Sequence, residues 1–241
     1  ILKKYVDLII CIDNNVSLNI SESLPKLVIH NGLNINNIKY NQKDRRKFTV
    51  AMVGMIHKSK GCLNFVKAAN ICKENGYNFN FVFYGYERFV PSKIINKFLN
   101  TLDFKQDVSL ETKELIKSFK MRSSFKFINF TTNLNNIYPN QDVLCFLSSF
   151  DSPGRPVFEA ALYKVPSLLS VSNPMNDTFI NNKTGIIVNS LSPKDIAEKI
   201  IYLYNNPKER KNMAMQAFKL ANKNFNSSKN AIKLLKKYKE I

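Results

Sequence analysis

The chain has no tryptophan, two histidines and seven glycines in 241 residues. His30 and His57 are too few for a multi-histidine metal centre. Seven glycines are about 3% against a usual ~7%. They form neither a GxGxxG fingerprint nor a Walker A loop, which sets aside the usual dinucleotide and P-loop readings. Cys11, Cys62, Cys72 and Cys145 are scattered, with no CxxC pair and no paired histidine. That disfavours a zinc site and a disulfide framework and fits a reducing cytosol. No apolar run approaches ~18 residues, so no segment has the pattern of a membrane-spanning helix. Negative charge is scarce too: 36 Lys and Arg against 18 Asp and Glu leave a net +18.

Such an excess calls for a counter-surface or tolerates self-repulsion. Three partners are natural: nucleic acid, an anionic membrane face, or phosphorylated small molecules. A solvated lysine-rich surface is the plainer alternative to all three. Nucleic acid is the weakest, for no RNP-like strand, zinc finger or recognition helix is present. The densest basic stretches run from Lys43 to Lys47 and from Lys229 to Lys239.

What is present is a chain able to bury a core, 44% hydrophobic and 12% aromatic. Its length fits one to two domains at ~150 residues each. It opens on Ile1 without a signal pattern, so a fragment or a processed product is expected. Apolar runs at Phe48–Gly54, Phe79–Gly85, Phe125–Phe130, Asp142–Leu147, Pro166–Val171 and Thr184–Val188 read as strands. Between them, helical spacing places Phe65, Ala68, Ala69 and Cys72 on one face, with Gly76 as a left-handed stop. Residues 91–122 are polar and basic and read as two short helices, and Pro156–Tyr163 opens another. Ser192-Pro193-Lys194-Asp195 resembles a capping box that starts a terminal helical run. In its last helix Ala231, Leu234, Leu235 and Tyr238 lie opposite the lysines. Strands alternating with helices predict an α/β fold: a Rossmann-like parallel sheet with helices on both faces and a helical C-terminus. Residues 1–40 do not fit that unit. Tyr5–Cys11 reads as a strand, Val28–Gly32 as an extended piece, and Asn31-Gly32 as a turn.

Two patterns carry chemistry. Gly54 to Gly61 is a strand-to-helix turn rich in donors, where free N–H groups and Lys60 favour an anion. A basic loop on a basic protein is the plainer alternative. Asp151 to Glu159 sets two carboxylates eight positions apart across a second such turn. Glu159 falls in the first helical turn on this reading, where the dipole favours its ionised form. An ionised carboxylate only accepts, which suits a vicinal diol. Gly154 lets backbone approach a ligand, and Gly154, Arg155 and Val157 keep their N–H groups.

Together these residues resemble the C-terminal, donor-binding half of retaining glycosyltransferases of family 4, which have the GT-B fold. Val28–Leu33 looks like the family's hinge, Gly54 with Lys60-Gly61 its phosphate turn, and Asp151–Glu159 its E-x7-E motif. The resemblance implies residues 1–40 as the tail of an N-terminal acceptor domain plus hinge, and 41–241 as a donor-binding domain. Lys60 would hold the donor diphosphate, Glu159 the ribose, and Asp151 the transferred sugar. Backbone N–H groups from Gly154 to Val157 would face sugar and phosphate, with Asn129 and Phe130 beside the base. No metal and no cofactor are implied. The donor is a nucleotide-diphosphate sugar, UDP slightly favoured over GDP, and the acceptor a glycan or a lipid-linked acceptor of cell-surface polysaccharide synthesis. The expected setting is cytoplasmic, with the amphipathic C-terminal helix either packed across the two domains or docked on an anionic inner membrane face. The family often has Arg where Met55 stands, so Arg155 or Lys58 is expected to supply that charge. A non-catalytic nucleotide-sugar module and a sugar-nucleotide epimerase are the alternatives.

Overall fold

The computed structural model describes residues 5–35, 38–39, 47–85, 107–148, 153–188 and 192–240. Asp151, residues 91–106 of the polar stretch and Lys43–Arg46 lie outside the described residues. In chain order the elements are β1 (Ile9–Cys11), α1 (Asn14–Leu18), β2 (Lys26–Val28), β3 (Thr49–Val53), α2 (Cys62–Glu74) and β4 (Asn80–Tyr84). There follow α3 (Ser109–Ser118), β5 (Phe125–Ile128), β6 (Val143–Phe146), α4 (Arg155–Leu162), β7 (Ser167–Leu169) and β8 (Gly185–Ile187). Three helices close the chain: α5 (Pro193–Asn205), α6 (Pro207–Asn224) and α7 (Ser227–Tyr238).

Six strands form one sheet in the order β5-β4-β3-β6-β7-β8, parallel at every pairing. Side chains alternate between two cores, as the period of two requires. Val50, Met52, Phe81, Phe83, Val143 and Cys145 pack with α2, α3 and α5. Ala51, Val82, Tyr84, Leu144 and Phe146 pack with α4 and α6. Both faces are thus covered, which is why the strands read as nearly continuous apolar runs. The chain leaves β3 toward β4 and β5, then returns to its other side at β6. That reversal opens a crevice at the carboxyl ends of the strands. β5 stops at Ile128, so Asn129 and Phe130 stand beyond the sheet.

The N-terminal segment differs in detail from the sequence reading. The strand at Tyr5–Cys11 is confined to Ile9–Cys11, and it pairs in parallel with β2 in a separate two-stranded sheet. Asn31-Gly32 is not a turn. A Cβ on Gly32 would lie 2.4 Å from Ser227 Cα, so the missing side chain serves close backbone approach. There the Leu33 N–H donates to the Phe225 carbonyl at 2.6 Å and the Ser227 N–H to the Leu33 carbonyl at 3.1 Å. His30 and Asp177 (2.7 Å) fasten the same segment to the loop before β8.

The start of the C-terminal helical run also departs from expectation. Pro193 does open α5, but the Ser192 side chain makes no capping hydrogen bond. Asp195 is one methylene shorter than the Glu or Gln a capping box needs to reach back. The helix rests instead on Ile196, Ala197, Ile200 and Leu203, all buried. On the apolar side of α7, Ala231, Leu235 and Tyr238 are exposed and Leu234 is half-buried, while Asn230 is the helix's buried residue. No helix among the described residues is long and apolar enough to cross a membrane.

Candidate functional site

The crevice holds a cavity of about 450 Å³. Val53, Gly54 and Met55 leave β3 into it, and Tyr84 and Gly85 leave β4. Phe130, Thr131 and Thr132 enter from beyond β5, with Leu134 and Ile137 behind them, and Arg155, Pro156 and Glu159 come from α4.

The β3 exit is built by short-range contacts. Gly54 takes φ +132°, a conformation that excludes ordinary side chains, and its N–H donates to the Tyr84 carbonyl at 2.9 Å. His57 Nδ1 accepts from the Ser59 N–H at 3.2 Å, so a neutral ring carries its proton on Nε2. One turn of 3-10 helix, Lys58–Lys60, ends at Gly61 with φ +70°, where α2 begins. A Cβ on Gly61 would lie 2.7 Å from both the Cβ and the carbonyl oxygen of Leu147. The turn is therefore pressed onto the end of β6. Lys60 is partly buried, its Nζ 5.5 Å from the Phe146 ring centre, and burial lowers its pKa below the ordinary lysine value. It lines a small pocket that shares Val53, Gly54 and Met55 with the large cavity. Cys62 borders that pocket too, but burial pushes its thiol up to about 11, so at neutral pH it is no thiolate nucleophile.

Glu159 is the fifth residue of α4, beyond the first turn where the sequence reading placed it, because the helix starts at Arg155 rather than Pro156. Its charge is met by side chains instead of free helix N–H groups. Tyr138 donates its hydroxyl to Oε2 at 2.7 Å, and Arg155 Nε donates to Oε1 at 2.5 Å. Glu159 is 6% exposed and Tyr138 0%. Burial first, and then the neighbouring carboxylate, raise the Tyr138 pKa well above its ordinary value. Tyr138 escaped the sequence reading because its partner lies 21 positions away and no local motif marks it.

The structure brings Gly54, Phe130, Arg155 and Glu159 to one cavity, with Lys60 in the adjoining pocket. Asn129 is exposed and does not line the cavity. Gly154 caps α4, and a Cβ there would lie 2.7 Å from the Phe146 ring. Val157 is buried in the core, and its N–H donates to the Gly154 carbonyl at 3.0 Å. Of the two candidates for the charge missing at Met55, Arg155 borders the cavity, while Lys58 is exposed and does not. Asp151 lies outside the described residues. Among the described residues no cluster of His, Cys, Asp and Glu could hold a metal ion.

Comparison with known proteins places the fold. The model of a family described as glycosyl transferases group 1 matches residues 34–220. A curated relative is the capsular polysaccharide biosynthesis glycosyltransferase CapM of Staphylococcus aureus. It is 25% identical over 194 residues, covering 78% of this chain and 45% of its own. The UDP complex of Anabaena HepE superposes with a TM-score of 0.80 at 15% identity, over 100% of this chain and 65% of its own. The C-terminal domain of a glycosyl transferase group 1 family protein (LpcC) from Francisella tularensis gives 0.63 at 20% identity, over 81% of this chain and 100% of its own. The chain thus spans under half of its curated relative and has the Rossmann-like architecture found in GT-B glycosyltransferases. With most of its length matched by the family model, the chain belongs to the glycosyl transferases group 1 family.

Proposed function

We propose that this chain is the donor-binding half of a retaining hexosyltransferase of glycosyltransferase family 4. It would take a sugar from a UDP-sugar, without a metal, and pass it to a glycan or lipid-linked acceptor of cell-surface polysaccharide synthesis. The observation that carries this reading is a buried carboxylate, Glu159, lining a cavity that sits on the sheet's switch point. Two relatives support it: HepE holds UDP in its complex, and CapM is named for capsular polysaccharide biosynthesis.

On this reading the base lies beside Phe130 and the ribose hydroxyls donate to Glu159. The diphosphate meets the turn from Gly54 to Gly61, and Asp151 contacts hydroxyls of the transferred sugar. As the bond from sugar to diphosphate oxygen breaks, negative charge gathers on the leaving diphosphate. Lys60 and the free N–H groups opening α2 are fixed where that charge grows, so they lower the barrier without reorganising. Partial burial strengthens the field of Lys60, because water screens it less.

Thermal denaturation with UDP and GDP tests the reading. A ligand at ~100 times its Kd should stabilise the fold by about 2.7 kcal/mol. Lys60→Ala and Glu159→Gln should each erase most of that gain. In a competent two-domain enzyme Lys60→Ala should lower kcat by about 10²–10³. A folded wild-type sample that no nucleoside diphosphate stabilises overturns the reading.

A further inference from the structure

The acid of the cavity is already engaged, by two very different partners. Tyr138 is fully buried and cannot leave Oε2 without repacking. Arg155 holds Oε1 from a side chain that is 74% exposed. It is also poorly placed by local rules. As the first residue of α4 it sets a cation at the positive end of the helix dipole. It precedes Glu159 by four positions, the less favourable order for an ion pair on a helix. Meanwhile the β3 exit carries Met55 and no cation of its own at that position, and Met55 and Arg155 border the same cavity.

Resting on the donor-site reading above, we propose that Arg155 is a specificity-determining residue that makes the cavity select nucleoside diphosphates over bare nucleosides. In the free site the guanidinium occupies the Glu159 oxygen that a ribose hydroxyl would use. A nucleoside must displace it and gives the displaced cation nothing in return. A nucleoside diphosphate supplies anionic oxygens, to which the planar fork can turn and bind in a bidentate manner. The wrong ligand is thus disfavoured by the loss of one exposed ion pair rather than by a clash. Arg155 therefore acts with opposite sign on the two ligands, which a fixed anion contact would not do.

Titration calorimetry of UDP and uridine into the wild type, Arg155→Ala and Arg155→Lys tests this. Arg155→Ala should lose UDP affinity by about 10–100-fold, as for one charge-assisted hydrogen bond. The same variant should gain uridine affinity by about two- to fivefold, the release of one exposed ion pair. Arg155→Lys keeps the charge without the fork and should fall between on both ligands. Uridine affinity unchanged or weaker in Arg155→Ala overturns the proposal, as does unchanged UDP affinity. Should Arg155→Ala fail to fold, Arg155→Lys decides by the same two signs. If the wild type binds no nucleoside diphosphate, the donor-site reading itself has failed, and the first titration separates that outcome from failure of the Arg155 proposal.

Discussion

Tyr138 spends its hydroxyl on Glu159, and both groups are buried. Phenylalanine at that position would keep the ring and its packing against Tyr163, 5.5 Å between centroids. It would leave Oε2 without its donor. A buried acceptor stripped of its partner costs about 1–3 kcal/mol. For a chain of this size that lowers Tm by roughly 2–4 °C per kcal/mol. The loss also has a pH signature. The Tyr138 pKa is raised in the folded state, whereas in the unfolded chain the hydroxyl ionises near ~10. A raised folded pKa contributes stability that is complete below the unfolded pKa and is lost as pH climbs through the folded one. The wild type alone pays this penalty above pH ~10. Urea midpoints of wild type and Tyr138→Phe should therefore converge as pH rises from neutral into that range. A gap that stays constant would mean that the hydroxyl titrates alike in both states.

The turn from β3 to α2 is held by conformation rather than by side-chain chemistry. Gly61 is its tightest point, with φ +70° and the Leu147 backbone one Cβ contact away. Gly61→Ala adds a left-handed penalty to a clash, together about 2–4 kcal/mol. It should lower both Tm and nucleotide affinity, since Lys60 is the residue before it; a stable variant with weakened binding would assign the effect to the turn alone. This turn was legible in the sequence, as were all six strands of the main sheet, because period and punctuation are local. Gly54, Gly76 and Gly85 stand at strand or helix ends with positive φ, where the pattern put them. The failures share one physical cause. The turn at Asn31-Gly32, the cap at Ser192 and the dipole partner of Glu159 were inferred from neighbours in sequence. In the fold Gly32 answers to Ser227, α5 rests on its buried face, and Glu159 answers to Tyr138 and Arg155. Local rules place elements well and distant partners badly: Ser227 and Tyr138 come from across the molecule, whereas Arg155 lies one helical turn from Glu159.

At the scale of the whole molecule the net +18 is the largest fact the site leaves unexplained. Among the described residues three contacts have ion-pair geometry: Arg155 with Glu159, Lys237 with Glu240, and His30 with Asp177. The last is a charge pair only when His30 is protonated. Thirty-six cations against 18 acids leave a net repulsion across the surface. Repulsion between exposed charges is screened beyond the Debye length, ~10 Å at 0.1 M salt. Added salt should therefore raise the Tm of the ligand-free chain between about 20 and 300 mM NaCl. The same salt should weaken UDP binding, because Lys60 and Arg155 face the diphosphate in the proposed complex. The two readouts move in opposite directions, so a general effect of salt on folding cannot produce both. A Tm that falls with salt would mean that surface pairs outweigh the repulsion. Affinity indifferent to salt would remove the cations from the account of nucleotide binding and leave it to the backbone N–H groups of the turn.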